Sequence, residues 1–172
     1  MVLNRTGTSI ILASVSVVAV TVLVFVSSLY APSVTAATQK TFYINTVHLD
    51  GITSTNGTKD HPPEPFPTTT LPSGGGYVLK KLDDAGNWKV RAFAFDPSQI
   101  VVHEGDNITL NILDVQGDHH VITVEGQGDA FTLHRGELKT MTFTANKAGV
   151  IHYFCSIHQP TMQGEILVLP KA

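Results

Sequence analysis

From residue 77 onward the chain alternates apolar and polar positions in short runs separated by Gly, Asp and Asn, which is the pattern of strands joined by turns. Residues 107–114, Asn-Ile-Thr-Leu-Asn-Ile-Leu-Asp, show it most clearly. Runs at 77–82 and 88–95 flank Asp83-Asp84-Ala85-Gly86-Asn87, a hairpin turn. Further strands are expected at 99–102, 107–113, 120–124, 130–133, 138–144, 150–155 and 164–169. Residues 40–49 read as the first strand, with Phe42, Ile44 and Thr46 on one face and Tyr43, Asn45 and Val47 on the other. No stretch of this part has a helical period, and the spacing is that of an all-β sandwich.

Two segments break the alternation. Residues 9–30 carry no charge and are rich in Val, Ile and Leu, with Arg5 the only charge before them. A run of about 20 apolar residues is long enough to cross a bilayer, while the small residues up to Ala36 and Ala37 suit signal cleavage. Residues 1–36 are therefore expected to be a membrane anchor or a signal peptide, and either places the remainder outside the cytoplasm. The second segment, 50–76, contains His61-Pro62-Pro63-Glu64-Pro65-Phe66-Pro67 and Gly74-Gly75-Gly76, a composition unsuited to a regular element. It is read as a surface loop laid across the sandwich. The expected layout is thus 1–36 as signal or anchor, 37–76 as first strand plus long Pro/Gly-rich loop, and 77–172 as the core of one domain that includes 37–76.

The formal net charge of −3 offers no basic surface for nucleic acid. The sequons at Asn4, Asn56 and Asn107 fit export. Cysteine usage is more telling. Cys155 is the single cysteine, so it has no partner for an internal disulfide, and a lone thiol in an exported protein needs another explanation.

Its surroundings supply one. Cys155, His158 and Met162 follow a strand-like Gly149-Val150-Ile151-His152-Tyr153-Phe154 and precede a second such run from Gly164. Taken singly, a Cys is usually a small buried hydrophobe, a His a satisfied polar group and a Met a gap-filler. Together in one short loop, a thiolate, an imidazole and a thioether form a soft donor set suited to copper. A trigonal site needs a second imidazole from a distant strand. His119 and His120 open such a strand, and parity chooses between them: His120 shares a face with Ile122 and Val124, the better core face, whereas His119 shares one with Val121 and Thr123. His119 is read as a solvated neighbour of the ligand, with shielding or proton relay as its alternative role. His152, three residues before Cys155, turns to the opposite face; His103 lies in a turn and His61 in the long loop.

These residues resemble the cupredoxins, in which a Greek-key β-sandwich holds one copper between an upstream histidine and a C-terminal Cys-His-Met loop. The resemblance covers roughly residues 88–172. Within the family it looks most like the nitrosocyanin-like cupredoxins of ammonia oxidisers, over Val90-Arg91-Ala92-Phe93, Ile100-Val101-Val102-His103-Glu104-Gly105-Asp106 and residues 136–145. That similarity puts His120 where nitrosocyanin carries a glutamate ligand, and this chain has Met162 in place of a second loop histidine. The departures point to a type 1 centre on a nitrosocyanin-like scaffold: one copper per chain held by His120, Cys155 and His158, with Met162 as a weaker axial ligand. The resemblance implies electron transport with a redox protein partner. Its alternative is an open copper site that binds or converts nitric oxide or nitrite, with water as another small ligand, and a homotrimer is the assembly it suggests.

Overall fold

The computed structural model describes residues 37–171. The hydrophobic stretch 9–30, and with it the expected anchor or signal, lies outside the described residues. Ten strands are described: β1 (Gln39–Ser54), β2 (Tyr77–Lys81), β3 (Asn87–Asp96), β4 (Gln99–His103), β5 (Asn107–Asp114), β6 (His119–Val124), β7 (Phe131–His134), β8 (Leu138–Thr144), β9 (Gly149–Cys155) and β10 (Gln163–Leu169). They form two five-stranded sheets, ordered β2-β3-β1-β5-β8 and β4-β10-β9-β6-β7. The β1–β5 and β4–β10 pairs are parallel and the remaining pairs antiparallel. No helix among the described residues is long and apolar enough to cross a membrane.

The alternation read from the sequence is what closes the sandwich. One inner face contributes Ile44, Phe93, Phe95, Ile108, Leu110 and Ile112, the other Ile100, Val102, Ile122, Val124, Tyr153 and Ile166, and all join one buried cluster. In β6 the even positions His120, Ile122 and Val124 are buried and the odd positions are not, as a period of two requires when one face meets a core. Each fully buried Ile or Leu side chain contributes about 1.5–3 kcal/mol of hydrophobic stabilisation.

One element is longer than expected. β1 does not stop near Leu49 but continues through Ser54, pairing Asp50 with Arg91, Gly51 with Val90 and Ser54 with Asn87. Asp and Gly are poor strand formers, yet an available neighbour in β3 satisfies their backbone groups and overrides local preference. The irregular segment therefore begins at Thr55, not at Asp50. Near its middle it is tied back to the end of β1 and to β3 by Glu64, whose N–H donates to Ser54 O at 3.0 Å and whose carbonyl accepts from Trp88 Nε1 at 2.8 Å.

Candidate metal centre

His120 enters the core because β6 begins at His119 and alternation turns the next side chain inward; it is 0% exposed. The preceding turn holds the ring. Gly117 has φ +124°, a backbone conformation that favours glycine, and a Cβ there would collide with His120 Nε2. His120 Nε2 lies 2.9 Å from the carbonyl oxygen of Gln116. A carbonyl only accepts, so Nε2 carries the proton and Nδ1 keeps its lone pair free to bind a metal. On the Nε2 side lies Asp114, also 0% exposed, its Oδ1 3.6 Å away and accepting from Thr46 Oγ1 at 2.7 Å. Asp114 Oδ2 is buried without a partner.

Cys155 ends β9 opposite Ile122 of β6. His120, two residues earlier on the same face of β6, thus lies beyond the end of β9, where the chain leaves the sheet. The segment from Cys155 to Met162 closes on itself: Cys155 N donates to Met162 O at 3.0 Å, Met162 N to His158 O at 3.0 Å, and His158 N to Cys155 O at 3.3 Å. Gln159 Nε2 spans the loop mouth by donating to Cys155 O at 2.8 Å and Met162 O at 3.2 Å. Cys155 and Met162 are both 0% exposed and His158 is partly buried.

His120, Cys155 and His158 are brought together with one donor atom from each lying within 4.8 Å of the others. His120 Nδ1 and His158 Nδ1 are 3.1 Å apart, and Cys155 Sγ is 3.4 Å from His158 Nδ1. A metal bonded at ~2.0–2.3 Å to nitrogen and sulfur leaves its donors about 3–4 Å apart, so the spacing and the soft donor set both fit a single copper ion. Burial pushes the Cys155 thiol up, partly offset by the backbone N–H groups of Ile157, Val121 and His158. Burial, reinforced by repulsion from His120, pushes His158 down to about 4. The imidazole is thus neutral and ready to bind above that pH, while the thiol must release its proton to a metal.

The other histidines lie apart from this trio. His119 is partly exposed with Nδ1 3.2 Å from Asp118 Oδ2, and its ring centroid is 6.0 Å from that of His134 across the β6–β7 pair. His61, His103 and His152 are exposed. His48 went unremarked in the sequence: its ring meets the edge of Phe93 at 4.6 Å between centroids, and its Nε2 is buried without a partner. Phe93 in turn stacks on His158, with centroids 3.7 Å apart and planes 10° from parallel. Sequence reasoning also missed the parts played by Gly117 and Asp114; a glycine three residues before a buried histidine is the one local signal available.

A family profile described as cupredoxin-like domain matches residues 80–168. No curated protein matches the sequence. Among solved structures, the chain is 20% identical to the copper nitrite reductase from Nitrosomonas europaea, covering 77% of this chain and 42% of that one with a TM-score of 0.49. It is 19% identical to auracyanin from Roseiflexus castenholzii, covering 45% of this chain and 88% of that one with a TM-score of 0.39. A copper-containing nitrite reductase from Thermus scotoductus is 18% identical over 78% of this chain and 28% of its own length, with a TM-score of 0.48. The chain thus spans less than half the length of either reductase, and likenesses this distant carry no activity with them. The profile covers more than half of the sequence, including β3 to β9 and the buried His-Cys-His cluster: this chain belongs to the cupredoxin-like domain family.

Proposed function

We propose that this protein is an extracytoplasmic, membrane-associated type 1 copper protein that carries electrons between redox partners. His120 Nδ1, Cys155 Sγ and His158 Nδ1 are the principal donors to one copper per chain, and Met162 is the weaker axial one. The observation that carries this reading is burial: His120, Cys155 and Met162 are all 0% exposed, and only the His158 ring retains a partly open edge. Copper, when bound, supplies one-electron exchange between its two oxidation states. The protein's part is to keep water away from the thiolate, to hold the Nε2 proton of His120 on Gln116 O, and to keep the loop from rearranging as charge changes. The open-site alternative, conversion of nitric oxide or nitrite, needs a vacant, reachable position at the metal, which this burial disfavours.

The test is a visible and electron paramagnetic resonance spectrum of the copper-loaded protein, before and after adding nitric oxide and nitrite. An intense thiolate-to-copper band unchanged by either ligand is expected. A band that shifts or bleaches moves the assignment to the small-molecule reading, and absence of the band in wild type removes both.

A further inference from the structure

The long irregular segment ends on the metal loop. Gly75 forms a parallel bridge with Gln159, flanked by two backbone hydrogen bonds: Gln159 N donates to Gly74 O and Gly76 N donates to Gln159 O, each at 2.9 Å. Thr161 Oγ1 adds a bond to Gly76 O at 2.9 Å. The same carbonyl accepts from Phe93 N at 3.0 Å, and the Phe93 ring lies flat on His158. The segment is thus tied both to the loop and to the backbone of the residue whose ring stacks on a proposed ligand.

This approach leaves no room for side chains. A Cβ at Gly74 would sit 2.7 Å from Gln159 O, one at Gly76 2.5 Å from Thr161 Oγ1, and one at Gly75 would run into Ile157 O, with His158 Cδ2 beyond it at 3.9 Å. Gly74 and Gly75 also have φ of +122° and +80°, so these two meet both a backbone and a packing requirement, and Gly76 a packing one. Gln159 is held from two sides, its main chain by the glycines and its side chain by Cys155 O and Met162 O.

We infer that Gly74-Gly75-Gly76 is a positioning clamp for the metal centre: it adds a short strand to the outside of the Cys155–Met162 loop, fixing Gln159 and through it the placement of His158 before any metal arrives. The inference rests on the copper reading above for its spectroscopic consequence. Its structural half, a loop held from outside, stands without a metal.

A matched pair of variants separates the clamp from general backbone strain. Gly75→Ala and Gly126→Ala both place a methyl at positive φ, +80° and +71°, but at Gly126 it meets nothing within 4 Å. In the full chain, Gly75→Ala is expected to release copper to a chelator about tenfold faster than wild type, to alter the thiolate-to-copper band, and to speed amide hydrogen exchange at Gln159 in the metal-free protein. Gly126→Ala is expected to match wild type in all three. Thr161→Val, which removes only the bond to Gly76 O, is expected to move the same readouts by less and decides the matter if Gly75→Ala does not fold. Equal behaviour of Gly75→Ala and Gly126→Ala overturns the clamp, as does a Thr161→Val protein identical to wild type. If wild type binds no copper but the exchange difference at Gln159 persists, the functional reading fails and the clamp survives.

Discussion

All four proposed ligands lie on the β4-β10-β9-β6-β7 sheet or on the loop leaving it, whereas the side chains that hold them in place come mostly from the β2-β3-β1-β5-β8 sheet. Phe93 of β3 stacks on His158, Asp114 of β5 faces His120, and Thr46 of β1 fixes Asp114. The two inner faces of a sandwich pack about 10 Å apart, so a donor on one is reached from behind by side chains on the other. Binding chemistry and its support are therefore separable: one sheet carries the proposed donors, the other the side chains that aim them.

Breaking the donor side has the largest expected effect. Cys155→Ala removes the one thiolate and abolishes the visible copper band, while the metal-free protein stays folded and loses only about 1 kcal/mol. A variant that kept wild-type absorption would place the copper elsewhere. On the supporting side, Thr46→Val keeps the shape but removes the hydroxyl bonded to Asp114 Oδ1. It leaves a buried carboxyl group with both oxygens short of donors, a loss of about 1–3 kcal/mol in denaturant unfolding with the copper band retained. Loss of the band in Thr46→Val would show that the supporting sheet selects the metal as well.

Phe93→Leu is expected to be milder, costing about 0.5–1.5 kcal/mol for the aromatic contact beyond the area lost. It should shift the His158 ring signals in nuclear magnetic resonance spectra without releasing copper. The smallest effect is acid sensitivity of the metal-free protein. Because His158 is pushed down to about 4 from an ordinary 6.5, the unfolded chain takes up this proton first. Stability contributed here is complete above pH 6.5 and is lost as the pH falls through about 4. Partial exposure of the ring screens the effect. Unfolding midpoints measured across that window should fall with acid in wild type and less steeply in His158→Gln; equal slopes would remove His158 as the source.

Much of the fold was legible because alternation is local. Strands such as β5, β6 and β8 begin and end within a residue of where the pattern places them, and parity alone turned His120 inward with Ile122 and Val124. What misled was also local. Residues 50–54 read as loop from their own composition, yet they form strand because β3 offers them partners. Likewise Gly74-Gly75-Gly76 read only as the end of a surface loop laid across the sandwich, since nothing in a run of glycines says that Gln159 lies against it.

By itself the sequence determined the all-β class and the soft donors gathered between Cys155 and Met162, for these follow from a two-residue period and from side-chain chemistry within one loop. Only the tertiary structure decided that Asp114 and Thr46 stand behind His120, that Phe93 lies flat on His158, and that three glycines grip the loop from outside. Those contacts join residues far apart in the chain, and their partners are set by strand register and sheet packing, which no local pattern records.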